Sequence, residues 1–150
     1  MGHTYSSHLF HCVFSTKGRC KTISAELHPR LWASLGAIAR DEGLKALAIG
    51  GIEDHIHMLL SVPPKIVFSN ALQHIKGNSS KWVHDTFPGL EWDSWQQGYG
   101  SFSIGISQVE DTIAYIQNQK EHHAKKTFQE EFLAFLKKHG IEYEERYVWG

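Results

Sequence analysis

The sequence predicts an α+β domain built on one antiparallel sheet. Four short segments have the apolar patterns of strands, and longer segments between and after them repeat apolar residues at helical spacing. Their order is strand, helix, strand, strand, helix, strand, followed by further helices. This order predicts a ferredoxin-like βαββαβ sheet with helices on one face and extra C-terminal helices. A chain of 150 residues builds one core of ordinary size, so residues 1–150 are expected to form a single domain.

The first strand and the first helix are separated by a basic loop. Residues 8–15 alternate between two largely apolar faces, which is typical of a strand covered on both sides. Residues 16–21 form the basic loop. The helix is expected to begin at Ser24 or His28, because the proline that follows is tolerated in a first turn. Gly43 is a favourable residue just after its end.

A hairpin, a second helix and a fourth strand are predicted next. Residues 44–52 and 55–62 have the composition of strands with turn residues between them, and two prolines end the second of these strands. A helix follows, with an apolar stripe that begins at Phe68, and it stops before Pro88. Residues 95–104 are predicted to form the fourth strand, with glycines at its entry.

Two capping boxes predict where the last helices begin. In a capping box a serine or threonine side chain bonds a free backbone N–H, and a glutamate three residues later bonds back. Ser107 with Glu110 predicts the start of one helix. Thr127 with Glu130 predicts the start of another, which Gly140 ends.

Charge, cysteine content and hydrophobicity limit the partners and the cellular compartment that can be expected. The formal charge of −1 and the pI of about 6.8 give no sign of a polyanion partner, so any phosphate-binding surface is expected to be local, at the basic loop. The two cysteines match no zinc spacing and no disulfide framework, which predicts free thiols in a reducing compartment. No apolar run is long enough to cross a membrane and no signal peptide is visible, so we expect a cytoplasmic protein.

A pair of histidines lies on the predicted third strand. Side chains alternate along a strand, so His55 and His57 leave the same face, with Cα atoms about 6.5 to 7 Å apart. They can converge on one metal ion, or they are two hydrogen-bonded polar side chains, since the pattern is short and the chain has 11 histidines. A metallo-hydrolase of the His-x-His-x-Asp-His type is excluded by the apolar residues Met58, Leu59 and Leu60 that follow. A barrel amidohydrolase is excluded because it needs about 250 residues.

A tyrosine and an amide one turn apart supply the context for this pair. Tyr115, Gln119 and His122 share one stripe of the helix expected after Ser107. If Gln119 is a third ligand, the metal keeps open positions and Tyr115 lies one turn away. A bound metal can polarise a phosphodiester and stabilise the leaving oxygen while the tyrosine attacks phosphorus. The metal is needed because free tyrosine has a pKa of about 10 and is a poor nucleophile at neutral pH.

Six motifs occur in order along the chain: Phe14-Ser15-Thr16-Lys17-Gly18-Arg19, Asp54-His55-Ile56-His57, Ile75-Lys76-Gly77-Asn78-Ser79-Ser80, Gly98-Tyr99-Gly100-Ser101-Phe102-Ser103, Tyr115-Ile116-Gln117-Asn118-Gln119 and Glu121-His122-His123. Together they make the chain resemble, from about Leu9 to Trp149, the single-tyrosine transposases of the HUH (His-hydrophobe-His) nuclease superfamily. These include insertion-sequence transposases and REP-associated tyrosine transposases. The resemblance implies one HUH transposase domain that excises and inserts an insertion sequence as single-stranded DNA.

The resemblance also implies roles for residues and partners. His55, His57 and Gln119 are its metal ligands, and Tyr115 is its nucleophile, which gives a 5′-phosphotyrosine and a free 3′-OH. Its expected DNA partner is a single strand with hairpin ends, in a bacterial or archaeal nucleoid. Its expected assembly is a homodimer in which the tyrosine helix of one subunit serves the histidine pair of the other. Gly105 stands where family members often have a small polar residue, a departure that we expect to be tolerated.

The expected cofactor is Mg²⁺ or Mn²⁺ rather than structural Zn²⁺, because no thiolate is near the pair. Lys17 and Arg19 are the expected DNA contacts near the cleavage site. Lys76 and Lys81 are expected to be solvated charges, with phosphate contact as the alternative reading.

Other residues compete for these roles. Tyr99, Tyr143 and Tyr147 are also candidate nucleophiles, but Tyr115 has an amide partner four residues on. Tyr99, between glycines, is expected to be structural or a platform on which a base stacks. His122 and His123 are expected near phosphate or solvent rather than on the metal. The rival function is a catalytically silent, ferredoxin-like nucleic-acid-binding module, and formation of a protein–DNA adduct distinguishes the two.

Overall fold

Four antiparallel strands form one sheet in the computed structural model, which describes residues 2–149. The strands lie in the order β2, β3, β1, β4 across the sheet, and each neighbouring pair is antiparallel. They are β1 Leu9–Ser15, β2 Lys45–Gly51, β3 His55–Ser61 and β4 Gly100–Ile104. The first and third strands lie in the centre, as a ferredoxin-like sheet requires, so the predicted fold class is confirmed.

Helices cover both faces of this sheet. They are α1 His28–Asp41, α2 Phe68–Thr86, α3 Val109–Gln117, α4 Gln119–His123 and α5 Phe128–Lys138. α1 and α2 pack on one face, where Leu35 and Leu72 meet Phe14 and Ile56 in the largest core cluster. The C-terminal helices pack on the other face, where Phe128 and other residues of α5 meet the sheet. The βαββαβ helices are therefore on one face, and the extra helices close the second.

β3 is buried on both faces, and its alternation separates the main core from a second, polar layer. Ile56 faces α1 and α2 in the largest cluster. Leu59 faces the other way and packs against Ile116 of α3. His55 and His57 share the face of Leu59 because the side-chain period of a strand is two. The strand thus directs both histidines towards the C-terminal helices.

The fourth strand is shorter than the predicted range 95–104 and begins at Gly100. The reason is the Lys76 side chain of α2. Its Nζ donates to the carbonyl oxygens of residues 96, 97 and 98 at 2.6, 3.3 and 2.7 Å. Those carbonyls are therefore not available to a sheet ladder, and the segment runs as an irregular connection.

The start of α3 also differs from its prediction. Ile106–Gln108 forms a 3-10 turn, and α3 begins only at Val109. The Gln108 Oε1 atom accepts a hydrogen bond from the Gly105 N–H at 2.9 Å. A glutamine amide therefore satisfies the Gly105 N–H, two residues before the predicted cap, and the predicted capping box of Ser107 with Glu110 is wrong.

Three other helix signals are confirmed. In α5 the Glu130 N–H donates to Thr127 Oγ1 at 3.2 Å, and Glu130 Oε1 accepts from the Thr127 N–H at 3.3 Å. Gly43 and Gly140 follow their helices with φ of 84° and 66°, the left-handed region that glycine tolerates best. Among residues 2–149, no helix combines the length and the apolar composition needed to cross a membrane.

Candidate active site

The two histidines of β3 present their Nε2 atoms to one buried space. His55 Nδ1 lies 2.7 Å from Asp54 Oδ1, and His57 Nδ1 lies 2.8 Å from His11 Nε2. Both imidazoles are fully buried. A neighbour that holds Nδ1 fixes the orientation and tautomer of a metal-binding imidazole and leaves Nε2 to bind. The local surroundings of both rings therefore suit metal ligands.

One carboxylate from α5 lies between these histidines and the nucleophile candidate. Glu131 Oε1 is 3.0 Å from His57 Nε2 and 3.3 Å from His55 Nε2. Glu131 Oε2 is 3.1 Å from His123 Nε2 and accepts a hydrogen bond from the Tyr115 hydroxyl. Glu131 is 2% exposed. The sheet, α3, α4 and α5 therefore all supply side chains to a single carboxylate.

These contacts decide the charge of the carboxylate and of one ring. Burial raises the pKa of Glu131, but its contacts with His123, His55 and His57 outweigh burial and hold that pKa well below its ordinary value. Burial lowers the pKa of His57 to about 4, against the opposing effect of Glu131. An anionic carboxylate thus faces a neutral imidazole, and these are the protonation states in which both groups bind metal ions.

The cluster fits a divalent metal ion. Ligand atoms of His55, His57, His123 and Glu131 all lie within 4.8 Å of one another. Among the side chains of residues 2–149, none makes a hydrogen bond to His55 Nε2, although this atom is buried; its 3.3 Å approach to Glu131 is not aligned for one. Imidazoles favour first-row transition ions, and a carboxylate admits harder ions such as Mn²⁺ and Mg²⁺. The donor set is compatible with the expected cofactor.

Tyr115 lies against this cluster within the same chain. The centroid of its ring is 5.7 Å from that of His57, and its hydroxyl oxygen is 2.9 Å from His122 Nε2. Burial and the contact with Glu131 raise the pKa of Tyr115 above its ordinary value. The hydroxyl is therefore protonated here, and it needs a proton acceptor or a cation before it can act as a nucleophile.

Gln119 lies beside the cluster but not on the same helix as Tyr115. α3 ends at Gln117, and Asn118, at φ −103° and ψ 26°, separates it from α4, so the expectation of one continuous helix is wrong. Gln119 Nε2 still donates to the Tyr115 carbonyl at 2.9 Å. Its Oε1 lies 3.0 Å from His123 Nε2. Gln119 is therefore next to the metal-compatible cluster, and its role as a ligand stays a prediction.

Two of the four predicted DNA-binding residues, Lys17 and Lys81, have exposed charges, and Arg19 is partly buried. Lys17 Nζ lies 3.2 Å from Asp93 Oδ2, and both side chains are largely exposed. The Arg19 guanidinium lies over the Trp149 ring, 5.3 Å from its centroid. Lys81 forms an exposed pair with an aspartate one turn on, at 3.6 Å. Exposed ion pairs are weak, so Lys17 and Lys81 can exchange their aspartate partners for phosphate.

Lys76 is not the solvated charge that the sequence suggested. It is partly buried, and its ammonium donates to three carbonyl oxygens of the segment that precedes β4. An ammonium group has three donors. Contact with a phosphate would therefore break hydrogen bonds that hold this segment.

Three residues of the site were not predicted from the sequence. His123 was expected near phosphate or solvent, but its side chain is 4% exposed and lies in the cluster. Glu131 and His11 were not considered. For His11 a signal existed, since it shares a face with Val13 on a strand predicted to be buried. For Glu131 none existed, because its position depends on how α5 packs on the sheet.

Comparison with known proteins gives the family. The family model described as "Transposase IS200 like" matches residues 4–119. A transposase for insertion sequence element IS200 from Salmonella typhimurium is 28% identical over 128 residues, which cover 81% of this chain and 82% of that protein. The ISDra2 transposase TnpA of Deinococcus radiodurans is 28% identical over 113 residues, covering 75% of this chain and 81% of that protein.

Solved structures agree with this assignment. A Deinococcus radiodurans R1 protein, crystallised as a candidate transposase, has a TM-score of 0.61 and 25% identity and covers 79% of this chain and 96% of its own. A REP-associated tyrosine transposase bound to a REP hairpin shares the fold, with a TM-score of 0.56 and 18% identity over 77% of this chain and 68% of its own. The family match covers Tyr115 and the histidine pair and ends before α5. The chain belongs to the IS200-like transposase family.

Proposed function

We propose that this transposase is a metal-dependent single-stranded DNA endonuclease and strand transferase that acts through a 5′-phosphotyrosine on Tyr115. One observation carries the proposal. The buried carboxylate of Glu131 contacts the Tyr115 hydroxyl and the Nε2 atoms of both His55 and His57. A scissile phosphate must contact both the nucleophile and the metal ion, so it has to occupy the space that the Glu131 carboxylate fills here. Glu131 gives way when DNA enters.

His55, His57 and Gln119 hold the ion in this proposal, with His123 and Glu131 as additional donors in reach. When bound, Mg²⁺ or Mn²⁺ polarises the phosphodiester and stabilises the leaving oxygen. Asp54 and His11 keep the two imidazoles in orientation through their Nδ1 atoms.

The covalent step transfers a phosphoryl group without loss of the phosphodiester. The Tyr115 oxygen attacks phosphorus, the bond to the 3′ oxygen breaks, and the products are a 5′-phosphotyrosine and a free 3′-OH. The phenolic proton passes to His122 Nε2, which lies 2.9 Å from the hydroxyl oxygen, and the departing 3′ oxygen takes up a proton from solvent. A 3′-OH that later attacks the phosphotyrosine rejoins a strand and releases the tyrosine. No ATP is required.

The proposed substrate is a single strand with hairpin ends. The near-zero net charge does not favour strong non-specific binding of duplex DNA. The DNA hairpin of the fold relative also supports a hairpin end. Lys17 and Arg19 are the proposed contacts near the cleaved phosphate, because they follow β1 directly where it pairs with the start of β3. Lys81 is a more distant proposed contact, and the protein is proposed to act in the cytoplasm, on nucleoid DNA.

The test separates chemistry from binding. Labelled single strands from the DNA that flanks the gene are incubated with Mn²⁺ and each variant, and adducts are resolved on a denaturing gel. Tyr115→Phe removes only the phenolic oxygen, so it is expected to bind DNA and to form no adduct. Tyr143→Phe and Tyr147→Phe, both exposed, are matched controls that keep adduct formation. An adduct from Tyr115→Phe overturns the assignment, and binding without any wild-type adduct favours the silent module.

A further inference from the structure

A second cavity lies outside the metal cluster, between α2 and the segment that precedes β4. We call it the α2 cleft, and its volume is about 550 Å³. Its lining includes Gln73, Lys76, Gly77, Trp95, Gln97 and Tyr99. The cleft belongs to the face of the sheet that α1 and α2 cover, whereas the histidine cluster lies under α5. It is therefore a separate site.

The chemistry of the lining selects against charged ligands. Lys76 is the one charged side chain among the described residues that line the cleft, and its three donors are taken by backbone carbonyls. The other polar groups are amides and hydroxyls, such as those of Gln73 and Gln97. They suit a neutral ligand with donors and acceptors at its edge.

An aromatic wall suits a planar ligand. Tyr99 is 38% exposed, yet its ring is held in place by an edge contact with Phe68, with centroids 6.2 Å apart. The Lys76 ammonium lies 5.8 Å from its centroid. A ring that is fixed and still accessible is a surface on which a planar heterocycle can stack.

The glycine in the middle of α2 keeps the cleft open. A Cβ atom at Gly77 would meet no heavy atom within 4 Å, so no packing contact requires glycine. Glycine is a poor residue for a helix interior, and alanine or an unbranched side chain would be better for α2 alone. The absent side chain leaves free volume in the cleft, and a ligand explains why that volume is useful.

One lining residue of the cleft, Trp95, lies at the end of the sheet that carries the histidine pair. Trp95 forms an antiparallel bridge with Thr16, and the Thr16 N–H donates to the Asp54 carbonyl at 2.8 Å. Asp54 immediately precedes His55. A strand whose phosphate lies at the histidine pair can therefore extend across this end of the sheet to the cleft.

We propose that the α2 cleft binds an unpaired nucleobase of the DNA strand, stacked on Tyr99 and hydrogen-bonded by Gln73 and Gln97. This inference rests on the proposed function, because it assigns a base-reading site to the same single-stranded substrate. Base stacking is worth about 1–3 kcal/mol per base, or roughly five- to 150-fold in affinity. The cleft thereby reads a base while the basic loop contacts phosphate.

The first measurement uses ligands that need no catalysis. Backbone amide resonances of the full chain are followed by NMR during titration with each of the four deoxynucleosides and, separately, with inorganic phosphate. At least one deoxynucleoside is expected to shift the resonances of Gly98 and Tyr99, and phosphate is not. Shifts with phosphate alone would identify an anion site and overturn the proposal, as would no shift with any ligand.

The second measurement fills the cleft. Gly77→Gln puts a flexible side chain into it without a steric clash and with better helix propensity. Asn78→Gln, exposed at the next position of α2, is the matched control. A short mixed-sequence single strand is compared with an abasic strand of equal length by fluorescence anisotropy.

The wild type and Asn78→Gln are expected to prefer the strand with bases by about tenfold or more. Gly77→Gln and Tyr99→Ala are expected to lose most of that preference. If both variants keep the wild-type preference for the strand with bases, the α2 cleft does not bind a base. Failure of adduct formation in the wild type, with these results intact, would refute the phosphotyrosine chemistry and leave the base site standing.

Discussion

Glu131 is the residue on which the buried polar groups of the site depend. His57, His123 and the Tyr115 hydroxyl all use its two oxygens. A buried polar group that loses its partner destabilises a protein by about 1–3 kcal/mol. The carboxylate is therefore part of the fold of the metal-free protein as well as part of the proposed site.

We expect Glu131→Ala to lower the free energy of unfolding of the metal-free protein by about 3 kcal/mol, because several partners lose one acceptor together. Urea denaturation in the presence of a chelator measures the loss. Glu121→Ala is the matched control, since Glu121 is exposed on α4 and its loss should stay within about 0.5 kcal/mol. Equal losses in the two variants would contradict a structural role for Glu131.

The contact between His11 and His57 makes a prediction about metal binding. His11→Phe keeps a ring in the buried layer but removes the nitrogen that lies 2.8 Å from His57 Nδ1. Loss of such an outer contact lowers metal affinity by about ten- to hundredfold. Titration calorimetry with Mn²⁺ measures this, with the double variant His55→Ala, His57→Ala expected to lose the site.

His74→Phe is the control for this experiment, because His74 is exposed on α2 and lies outside the metal cluster. Its Mn²⁺ affinity should equal that of the wild type. If His11→Phe also binds Mn²⁺ with wild-type affinity, the bond to His57 does not support the metal site.

A site residue could be predicted from the sequence only where neighbouring residues determine its position. The shared face of His55 and His57 follows from the strand period alone, so the pair could be identified without knowing the fold. Glu131 is one acid of an amphipathic helix, and only the packing of α5 on the sheet brings it to the pair. The contacts of Lys76 could not be predicted for the same reason, because its carbonyl partners lie about twenty residues further along the chain.

At the scale of elements, β2 and α3 are in contact through their backbones. A Cβ atom on Gly50 of β2 would overlap the carbonyl oxygen of Ile116 in α3. Ile116 is fully buried and directly follows Tyr115. The absence of a side chain at Gly50 therefore sets how closely the helix that carries Tyr115 approaches the sheet.

We expect Gly50→Ala to destabilise the protein by about 1–3 kcal/mol, as overpacking does, and to reduce adduct formation because α3 shifts with Tyr115. Gly36→Ala is the matched control: its Cβ would meet Ile49 Cδ1 at 3.7 Å, an ordinary contact, and alanine favours a helix. Urea denaturation and the denaturing gel measure the two effects. Wild-type stability and activity in Gly50→Ala would show that α3 does not need this approach.

The elements that were predicted correctly have signals in their own sequence. α5 begins at a threonine and glutamate that bond each other within one turn, and the glycine after α1 needs no distant partner. Two of the three errors at this scale involve distant or competing bonds, and the third is the break at Asn118 between α3 and α4. β4 begins late because Lys76 takes carbonyls from another element, and the Ser107 box fails because the cap forms two residues earlier, where Gln108 Oε1 accepts from the Gly105 N–H.

At the scale of the whole molecule, the family match and the folded unit have different limits. The match ends at residue 119, but α5 closes the second face of the sheet. Phe128, Phe132 and Leu136 of α5 pack with Val13 and Phe102 of the sheet. The segment beyond the match therefore supplies both apolar cover and Glu131 to the site.

The arrangement of α3 bears on the proposed homodimer with shared active sites. Within one chain, Tyr115 already lies beside His57. Domain swapping exchanges an identical element between protomers and keeps its contacts. A partner's α3 seated on β2 would meet the same Gly50 and the same histidine pair. A shared site is therefore compatible with the packing of the single chain.

Mixing two inactive variants tests this proposal. A His57→Ala subunit keeps the tyrosine, and a Tyr115→Phe subunit keeps the histidine pair. After subunit exchange, half of the dimers are mixed and each has one intact shared site, so adduct formation is expected to recover to about a quarter of the wild-type level. Each variant alone is the control and should form no adduct. Size-exclusion chromatography verifies the dimer, and a mixture of exchanged dimers that stays inactive would mean that each chain uses its own Tyr115.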